Sequence, residues 1–440
     1  MKISVVGLGK LGSPILAVLA SKGNEVIGID VNKEFVSQVN QGKAPIHEPS
    51  LQQFISLHSS KIRATSDYEE AISQSDVTLV IVPTPSGRDG TFSNEYLLRS
   101  MEQIGHSLKK KQGYHLVVIK STVMPGSTGG EIKDALEKAS ERTVGSDLGL
   151  CYSPEFIALG SVIQNLLAPD LILIGESDKK AGDILQEIYR NTCGETVQVQ
   201  RMNFVNAEIA KIAINTYVTT KISYANMLSE VCERINGADV DVVTSAVGKD
   251  SRIGSKYLRA GNAFGGPCFP RDNVAFGALA TQIGARADLA FATQELNQFQ
   301  DTRLIRLIEE NSKGKKVGIL GLSYKPGTYV VEESQGVRIA NYLCKNGYQV
   351  SVYDPMALEE AALVLQKSVC LAKSVQECFE GSDTLVLMTP WDEILREISP
   401  SIGMGKTVID CWRSLSRKAC GSDCNLISLG HGSTLNMAYN

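Results

Sequence analysis

One stretch concentrates side chains able to do covalent chemistry: Gly261-Asn262-Ala263-Phe264-Gly265-Gly266-Pro267-Cys268-Phe269-Pro270-Arg271-Asp272. Its glycines and two prolines fix an exposed loop, and the apolar run from Val274 to Ala280 predicts a helix following Pro270. Cys268 then lies just before a helix N-terminus, where the dipole and nearby cations lower a thiol's pKa and supply thiolate. A thiolate is a nucleophile for carbonyl carbon, and splits one hard acyl transfer into two easier steps. A lone cysteine is by default a small packing residue. In a glycine-rich loop with charged neighbours the catalytic reading is the better one. Asp272 falls in the first turn of the same helix.

A second set is Glu208, Lys211 and Asn215, spaced i, i+3 and i+7 and so on one helix face. Such a stripe is either solvated or, because Ile209, Ile212, Ala213 and Ile214 bracket it, half-buried. A half-buried lysine beside a carboxylate acts as proton relay or oxyanion stabiliser. Spacing alone leaves both readings open.

The third set is Gly7-Leu8-Gly9-Lys10-Leu11-Gly12, which follows a short β-branched run and opens a helix in which Pro14 falls in the first turn. Here Gly7, Gly9 and Gly12 permit a tight turn, close approach of a pyrophosphate and tight helix–sheet packing, and the helix N-terminus offers N–H groups to phosphate. A second strand, Glu25 to Ile29, ends in Asp30, 18 residues past Gly12. An acid there accepts ribose hydroxyls and repels a 2′-phosphate, which favours NAD over NADP.

Regular elements must hold these groups in place. Strand-like runs at Ile3 to Val6, Glu25 to Ile29, Val77 to Val82, Leu116 to Ile119, Gly149 to Tyr152 and Leu171 to Ile174 alternate with amphipathic stretches, the pattern of a parallel sheet flanked by helices. From about Asn203 to Glu233 apolar residues recur at helical spacing without proline or glycine, which predicts one long central helix and, from its length, a dimer contact. A second α/β region begins near Gly314, with strands at Lys316 to Gly321, Gln349 to Tyr353, Thr384 to Met388 and Thr407 to Ile409. The expected architecture is therefore α/β, two Rossmann-like parallel-sheet domains joined by a long central helix. Its boundaries are an N-terminal NAD-binding domain over 1–200, a central helical dimerisation and catalytic region over 201–300, and a C-terminal Rossmann-like domain over 301–440.

Bulk properties narrow the classes of function. A net charge of −4 over 440 residues gives no electrostatic footprint for nucleic acid or an anionic membrane. No signal-peptide core opens the chain and no apolar run spans a bilayer, so a cytoplasmic protein is expected. Ten cysteines without a disulfide-like framework agree with a reducing compartment. Cys411, Cys420, Cys424 and His431 lack zinc-ligand spacing, and no metal is expected.

The dinucleotide fingerprint, the Val82-Pro83-Thr84-Pro85 and Ser121-Thr122-Val123-Met124-Pro125-Gly126-Ser127 loops, the long helix with Lys211 and Asn215, and the Gly-Gly-Pro-Cys-Phe-Pro-Arg-Asp loop together resemble the UDP-glucose/GDP-mannose dehydrogenase family. The resemblance runs essentially the whole length, through Gly321-Leu322-Ser323-Tyr324-Lys325-Pro326 and Val352-Tyr353-Asp354-Pro355. It implies an NAD-dependent four-electron oxidation of a sugar nucleotide's primary alcohol to a carboxylate. Cys268 would form a thiohemiacetal and then a thioester, Lys211 would stabilise the oxyanion with help from Asn215, Asp272 and a water held by Thr122 would move protons, and Glu155 is a further acid. It implies cofactor contacts from Gly7, Gly9, Leu11, Gly12, Asp30, Lys33, Thr84 and Thr122. It implies sugar-nucleotide contacts from Phe156, Lys211, Asn215, Lys256, Tyr257, Gly265 and Lys325, a nucleotide-sugar-binding C-terminal domain over 301–440, and a homodimer. Arg252 is a further phosphate candidate. The expected substrate is UDP-glucose, with a UDP-N-acetylhexosamine or GDP-mannose as alternatives.

Three departures stand out. Phe156-Ile157-Ala158-Leu159-Gly160 replaces the commoner Phe-Leu-Arg-Glu-Gly, Tyr329-Val330-Val331-Glu332 replaces an Asp-Asp-x-Arg segment, and Arg271 stands for the commoner lysine. A hydroxy acid dehydrogenase shares the first domain but has no use for Cys268 or a second α/β region. A non-catalytic NAD-binding regulatory protein is the reading from another class.

Overall fold

The computed structural model describes residues 1–398, 405–421 and 423–432. The chain divides into two compact units, Met1–Ala213 and Ile214–Asn440.

The first unit is built on β1 (Lys2–Val6), β2 (Glu25–Ile29), β3 (Ile62–Thr65), β4 (Val77–Val80), β5 (His115–Ile119), β6 (Leu148–Tyr152), β7 (Ile172–Glu176) and β8 (Val199–Met202). They form one sheet in the order β3-β2-β1-β4-β5-β6-β7-β8. Neighbours are parallel except β6 and β7, which pair antiparallel, a departure from the all-parallel expectation. Alternation sends Ile3 and Val5 of β1 into one core and Val6 into the other, so both faces are covered. The order reverses between β1 and β4, and ligands of open α/β sheets gather past the strand ends at such a switch point.

The second unit carries an all-parallel sheet in the order β11-β10-β9-β12-β13-β14. Its strands are β9 (Lys316–Leu320), β10 (Gln349–Tyr353), β11 (Cys370–Leu371), β12 (Thr384–Leu387), β13 (Thr407–Asp410) and β14 (Asn425–Ser428). The central helix spans Phe204–Glu233, 30 residues, close to the length expected. The helix expected after Pro270 spans Phe269–Gln282. Among the described residues no helix is long and apolar enough to cross a membrane.

Candidate active site

In the first unit the glycine turn divides its labour as the fingerprint requires. Gly7 adopts φ +95°, and a side chain there would strike the Ile81 carbonyl. A Cβ on Gly12 would lie 1.7 Å from the Gly7 carbonyl oxygen, so this glycine is needed for packing. A Cβ on Gly9 would meet no protein atom within 4 Å, so that position opens onto a cradle a phosphate can enter. The helix Gly12–Ser21 follows, and Leu11 caps it without a side-chain hydrogen bond. Ser13 N–H donates to the Gly9 carbonyl at 3.2 Å and Pro14 has no N–H, so among the described residues the Leu11 and Gly12 N–H groups are left for a ligand. Asp30 closes β2 and accepts from Leu8 N at 2.6 Å and Asn32 N at 2.7 Å. Lys33 is the exposed first residue of the next helix. These residues fit a dinucleotide: open space at Gly9, the Leu11 and Gly12 N–H groups, and an acid at the end of the second strand.

The second unit repeats the turn but not this fit. Asp354, at the end of β10, is 1% exposed and accepts from Leu322 N, Ser323 N and Oγ, Met356 N, Ala357 N and Trp391 Nε1. Its acceptor capacity is used within the protein.

The two loops after β4 and β5 are stitched together. Thr84 Oγ1 donates to the Thr122 carbonyl at 2.7 Å, and Ser121 Oγ donates to the Val82 carbonyl at 2.6 Å. Glu208, fully buried, accepts from Gly126 N at 2.6 Å and Thr128 N at 2.8 Å. Burial raises its carboxyl above the usual range, against these hydrogen bonds. The carboxylate that spacing placed beside Lys211 therefore holds a loop instead. Lys211, 5% exposed, donates Nζ to the Glu155 carbonyl oxygen at 2.8 Å and lies 4.6 Å from the centre of the Phe156 ring. The Glu155 carboxylate forms a buried ion pair with Lys120, a residue the sequence reading missed. The signal was available: a lysine directly follows five buried residues of β5.

Leu159, where the family's acid commonly stands, packs against the first unit's core. The backbone beside it is held by Glu48, which accepts from Gly160 N at 2.9 Å and Val162 N at 2.8 Å.

In the second unit Cys268 is the exposed residue capping the helix Phe269–Gln282, with Pro270 in the first turn. Asp272 N–H donates to the Cys268 carbonyl at 2.8 Å. The Asp272 carboxyl is 1% exposed, and its Oδ2 accepts from Asn215 Nδ2 at 2.6 Å. Its Oδ1 makes no hydrogen bond among the described residues and lies 3.5 Å from Arg271 Nε. The glycines of the cysteine loop are contact positions. A Cβ on Gly265 would lie 2.3 Å from the Glu333 carbonyl oxygen, and one on Gly266 would lie 2.7 Å from the Tyr324 ring. Asn297 grips Phe264 at both ends, accepting from its N–H at 2.7 Å and donating to its carbonyl at 3.0 Å. Gly266 N–H donates to the Glu332 carbonyl at 3.0 Å, so the divergent 329–332 segment braces the cysteine loop.

The exposed Tyr257 ring, at φ +63°, meets Phe269 edge-on with centroids 6.1 Å apart. Lys325 Nζ lies 5.9 Å from the Tyr324 ring that covers Gly266. Lys256 is exposed next to Tyr257. Arg252 is tied to Asp250 by bonds of 2.6–3.2 Å. The second unit thus brings together Asn215, Gly265, Cys268, Asp272, Tyr257 and Lys325. The first carries three groups: Gly7, Gly9, Leu11 and Gly12 of the turn with Asp30, Thr84 bonded to Thr122, and Lys211 against Glu155 and Phe156. Lys211 and Asn215 are one turn apart on the uninterrupted central helix.

Comparison with known proteins agrees with this geometry. A UDP-glucose 6-dehydrogenase of Haloferax volcanii is 35% identical over 398 residues, 89% of this chain and 92% of that one. A GDP-mannose 6-dehydrogenase of Pseudomonas putida is 33% identical over 424 residues, 93% of this chain and 95% of the relative. The solved structure of a UDP-glucose dehydrogenase from Pyrobaculum islandicum superimposes with a TM-score of 0.89 at 32% identity, covering 98% of both chains. The NAD binding, central and UDP binding domains of one family match residues 1–193, 205–299 and 318–417, so NAD is the cofactor and the chain belongs to the UDP-glucose/GDP-mannose dehydrogenase family.

Proposed function

We propose that this protein oxidises the C6 hydroxymethyl group of a UDP-hexose to a carboxylate, with UDP-glucose to UDP-glucuronate as the reaction, through a covalent intermediate on Cys268. The observation that carries the reading is an exposed thiol capping a helix, one turn from a buried carboxylate whose Oδ1 accepts no hydrogen bond among the described residues. A 2- or 3-hydroxy acid dehydrogenase needs neither. The Haloferax volcanii relative and the Pyrobaculum islandicum structure support UDP-glucose. GDP-mannose is the second reading, supported by the Pseudomonas putida relative.

Gly7, Gly9, Leu11, Gly12, Asp30, Lys33, Thr84 and Thr122 would hold NAD; when bound, one NAD would supply the hydride acceptor for the first oxidation, and a second NAD, exchanged for the NADH formed, would supply it for the second. Asp272 takes the alcohol proton, directly or through a water oriented by Thr122, as C6 becomes an aldehyde. The Cys268 sulfur then attacks the aldehyde carbon, forming a C–S bond and an oxyanion. Lys211, with Asn215, stabilises that negative charge. Oxidation of this adduct leaves a thioester. Water attacks the thioester, the C–S bond breaks, the thiolate returns and the carboxylate leaves. Glu155, the further acid candidate of the sequence, has its carboxylate in the ion pair with Lys120 and is assigned no proton step. Phe156, Lys256, Tyr257, Gly265 and Lys325 are assigned to the sugar nucleotide.

Residues 1–200 are assigned to NAD, 201–300 to catalysis and dimerisation, and 301–440 to the nucleotide of the substrate. A homodimer is supported by Tyr217, Tyr224 and Val231, exposed apolar residues at seven-residue spacing on one stripe of the central helix. Cytoplasmic residence is supported by ten cysteines with no disulfide among the described residues. The test is incubation with NAD and a panel of UDP-glucose, UDP-N-acetylhexosamines and GDP-mannose, following absorbance and acid formation. Two NADH per UDP-glucuronate is the expected result. Turnover of GDP-mannose alone would move the assignment to the second reading, and NAD binding without NADH from any sugar nucleotide would overturn it.

A further inference from the structure

A buried cation beside the candidate site belongs to Lys120, whose side chain is 2% exposed. An unpaired ammonium at that depth costs several kcal/mol. Burial pulls its pKa down, but the facing Glu155 carboxylate and the hydrogen bonds with Glu155 and Tyr189 outweigh this, and the ammonium is held above its ordinary value. The Glu155 side chain is 15% exposed and forms the ion pair. Tyr189 Oη accepts from Lys120 Nζ at 2.5 Å and is itself 2.7 Å from Ser153 Oγ. Ser153 and Glu155 belong to the same short turn after β6. The ion pair and the tyrosine therefore grip that turn at two points.

Glu155 has a second role in the same geometry. Its backbone carbonyl oxygen, not its carboxylate, receives Lys211 Nζ at 2.8 Å, and the neighbouring Phe156 ring lies 4.6 Å from that nitrogen. A lysine carries its charge on four rotatable bonds, so fixing the point charge requires a fixed acceptor. The acceptor is a turn whose position is set from beneath by Lys120 and Tyr189. We propose that Lys120 and Tyr189 are positioning residues for Lys211, acting through Glu155. The Glu155 carboxylate is then committed to the ion pair as part of the support, and its contribution to the site is the carbonyl that anchors the cation. This inference rests on Lys211 being the oxyanion-stabilising cation. Its anchoring can be measured without turnover.

Two variants separate positioning from folding. Tyr189→Phe removes one hydroxyl and keeps the ring. Lys120→Met combined with Glu155→Gln removes both charges at once, because either change alone strands a buried partner. In substrate-free protein, acetylation of Lys211 by N-hydroxysuccinimidyl acetate is followed by peptide mass, with the exposed Lys2 as internal reference. Release of the anchor is expected to raise the Lys211 rate about threefold in Tyr189→Phe, and more in the double variant, while Lys2 is unchanged. With NAD and UDP-glucose, kcat is expected to fall about tenfold in the double variant with KM within about twofold. A merely structural role would lower the melting temperature and leave the Lys211 labelling rate and the kcat of folded protein unchanged. A Lys211 rate in Tyr189→Phe equal to wild type overturns the proposal, and that arm decides it should the double variant fail to melt cooperatively. If the parent protein forms no NADH, the proposed function fails while the labelling arm still judges the anchoring.

Discussion

Replacing Lys211 with methionine removes one charge while keeping an unbranched side chain to lie on Phe156. A cation about 3 Å from a developing oxyanion interacts with it by about 5–6 kcal/mol at an effective dielectric of about 20. That is a ceiling, because part of it offsets the desolvation of a lysine that is 5% exposed. Loss of a single oxyanion donor costs about 3–4 kcal/mol in comparable sites, so kcat should fall about 10² to 10³-fold. The charge on oxygen appears only as the reaction proceeds, so kcat and kcat/KM should fall together. The Glu155 carbonyl also loses its donor, worth about 1 kcal/mol of stability, a shift of roughly 2–4 °C in melting temperature. The assay is steady-state NADH formation with UDP-glucose, paired with a thermal melt. A kcat within about threefold of the parent, with the expected small melting shift, would refute the assignment of Lys211.

Gly9→Ala and Gly12→Ala should separate ligand space from packing space. The first meets no protein atom, so its stability should stay within about 0.5 kcal/mol while KM for NAD rises about tenfold or more. The second drives a Cβ into the Gly7 carbonyl and should cost about 3 kcal/mol or more of stability, read by urea unfolding. A reversed pattern would contradict the cradle at Gly9. His115 supplies a pH test: burial, with the charges of Lys111 and Arg142, pulls it down to about 3. Unfolded, it titrates near 6.5, so below that pH the unfolded state takes a proton the native state refuses. Stability should therefore fall with pH from about 6.5 toward 3, by about 2 kcal/mol from this group at pH 5. His115→Gln should remove that share when unfolding is compared at pH 7.5 and 5; parallel losses in both proteins would place the effect elsewhere.

Much of the fold could be read because strand and helix patterns are local. Glu25 to Ile29 and Gln349 to Tyr353 match the observed strands end for end, and the central helix is displaced by a residue or so. The strands that escaped are short or exposed. β11 has two residues, β8 is mostly half-buried, and β3 and β14 have four residues each, too few to set a period. The reversal of β7 could not be read, since pairing direction depends on the path of the chain between strands. In the candidate site, the placement of Cys268 before a helix and of Asp272 in its first turn was legible because a loop feeding a helix is encoded contiguously. Lys120 was not, because its partners Glu155 and Tyr189 lie 35 and 69 residues away and meet it only when β5 and β6 pair. Glu208 was assigned to its helix neighbour because spacing shows which residues share a face and not what packs against that face.

The claim most exposed to test is that the sugar becomes covalently attached to sulfur. Steady-state oxidation of UDP-glucose by Cys268→Ser measures it directly. A hydroxyl in place of the thiolate should reduce net formation of acid by about 10³-fold or more, while NAD binding and the melting temperature stay unchanged. Production of UDP-glucuronate at the parent rate would show that no bond to Cys268 is needed.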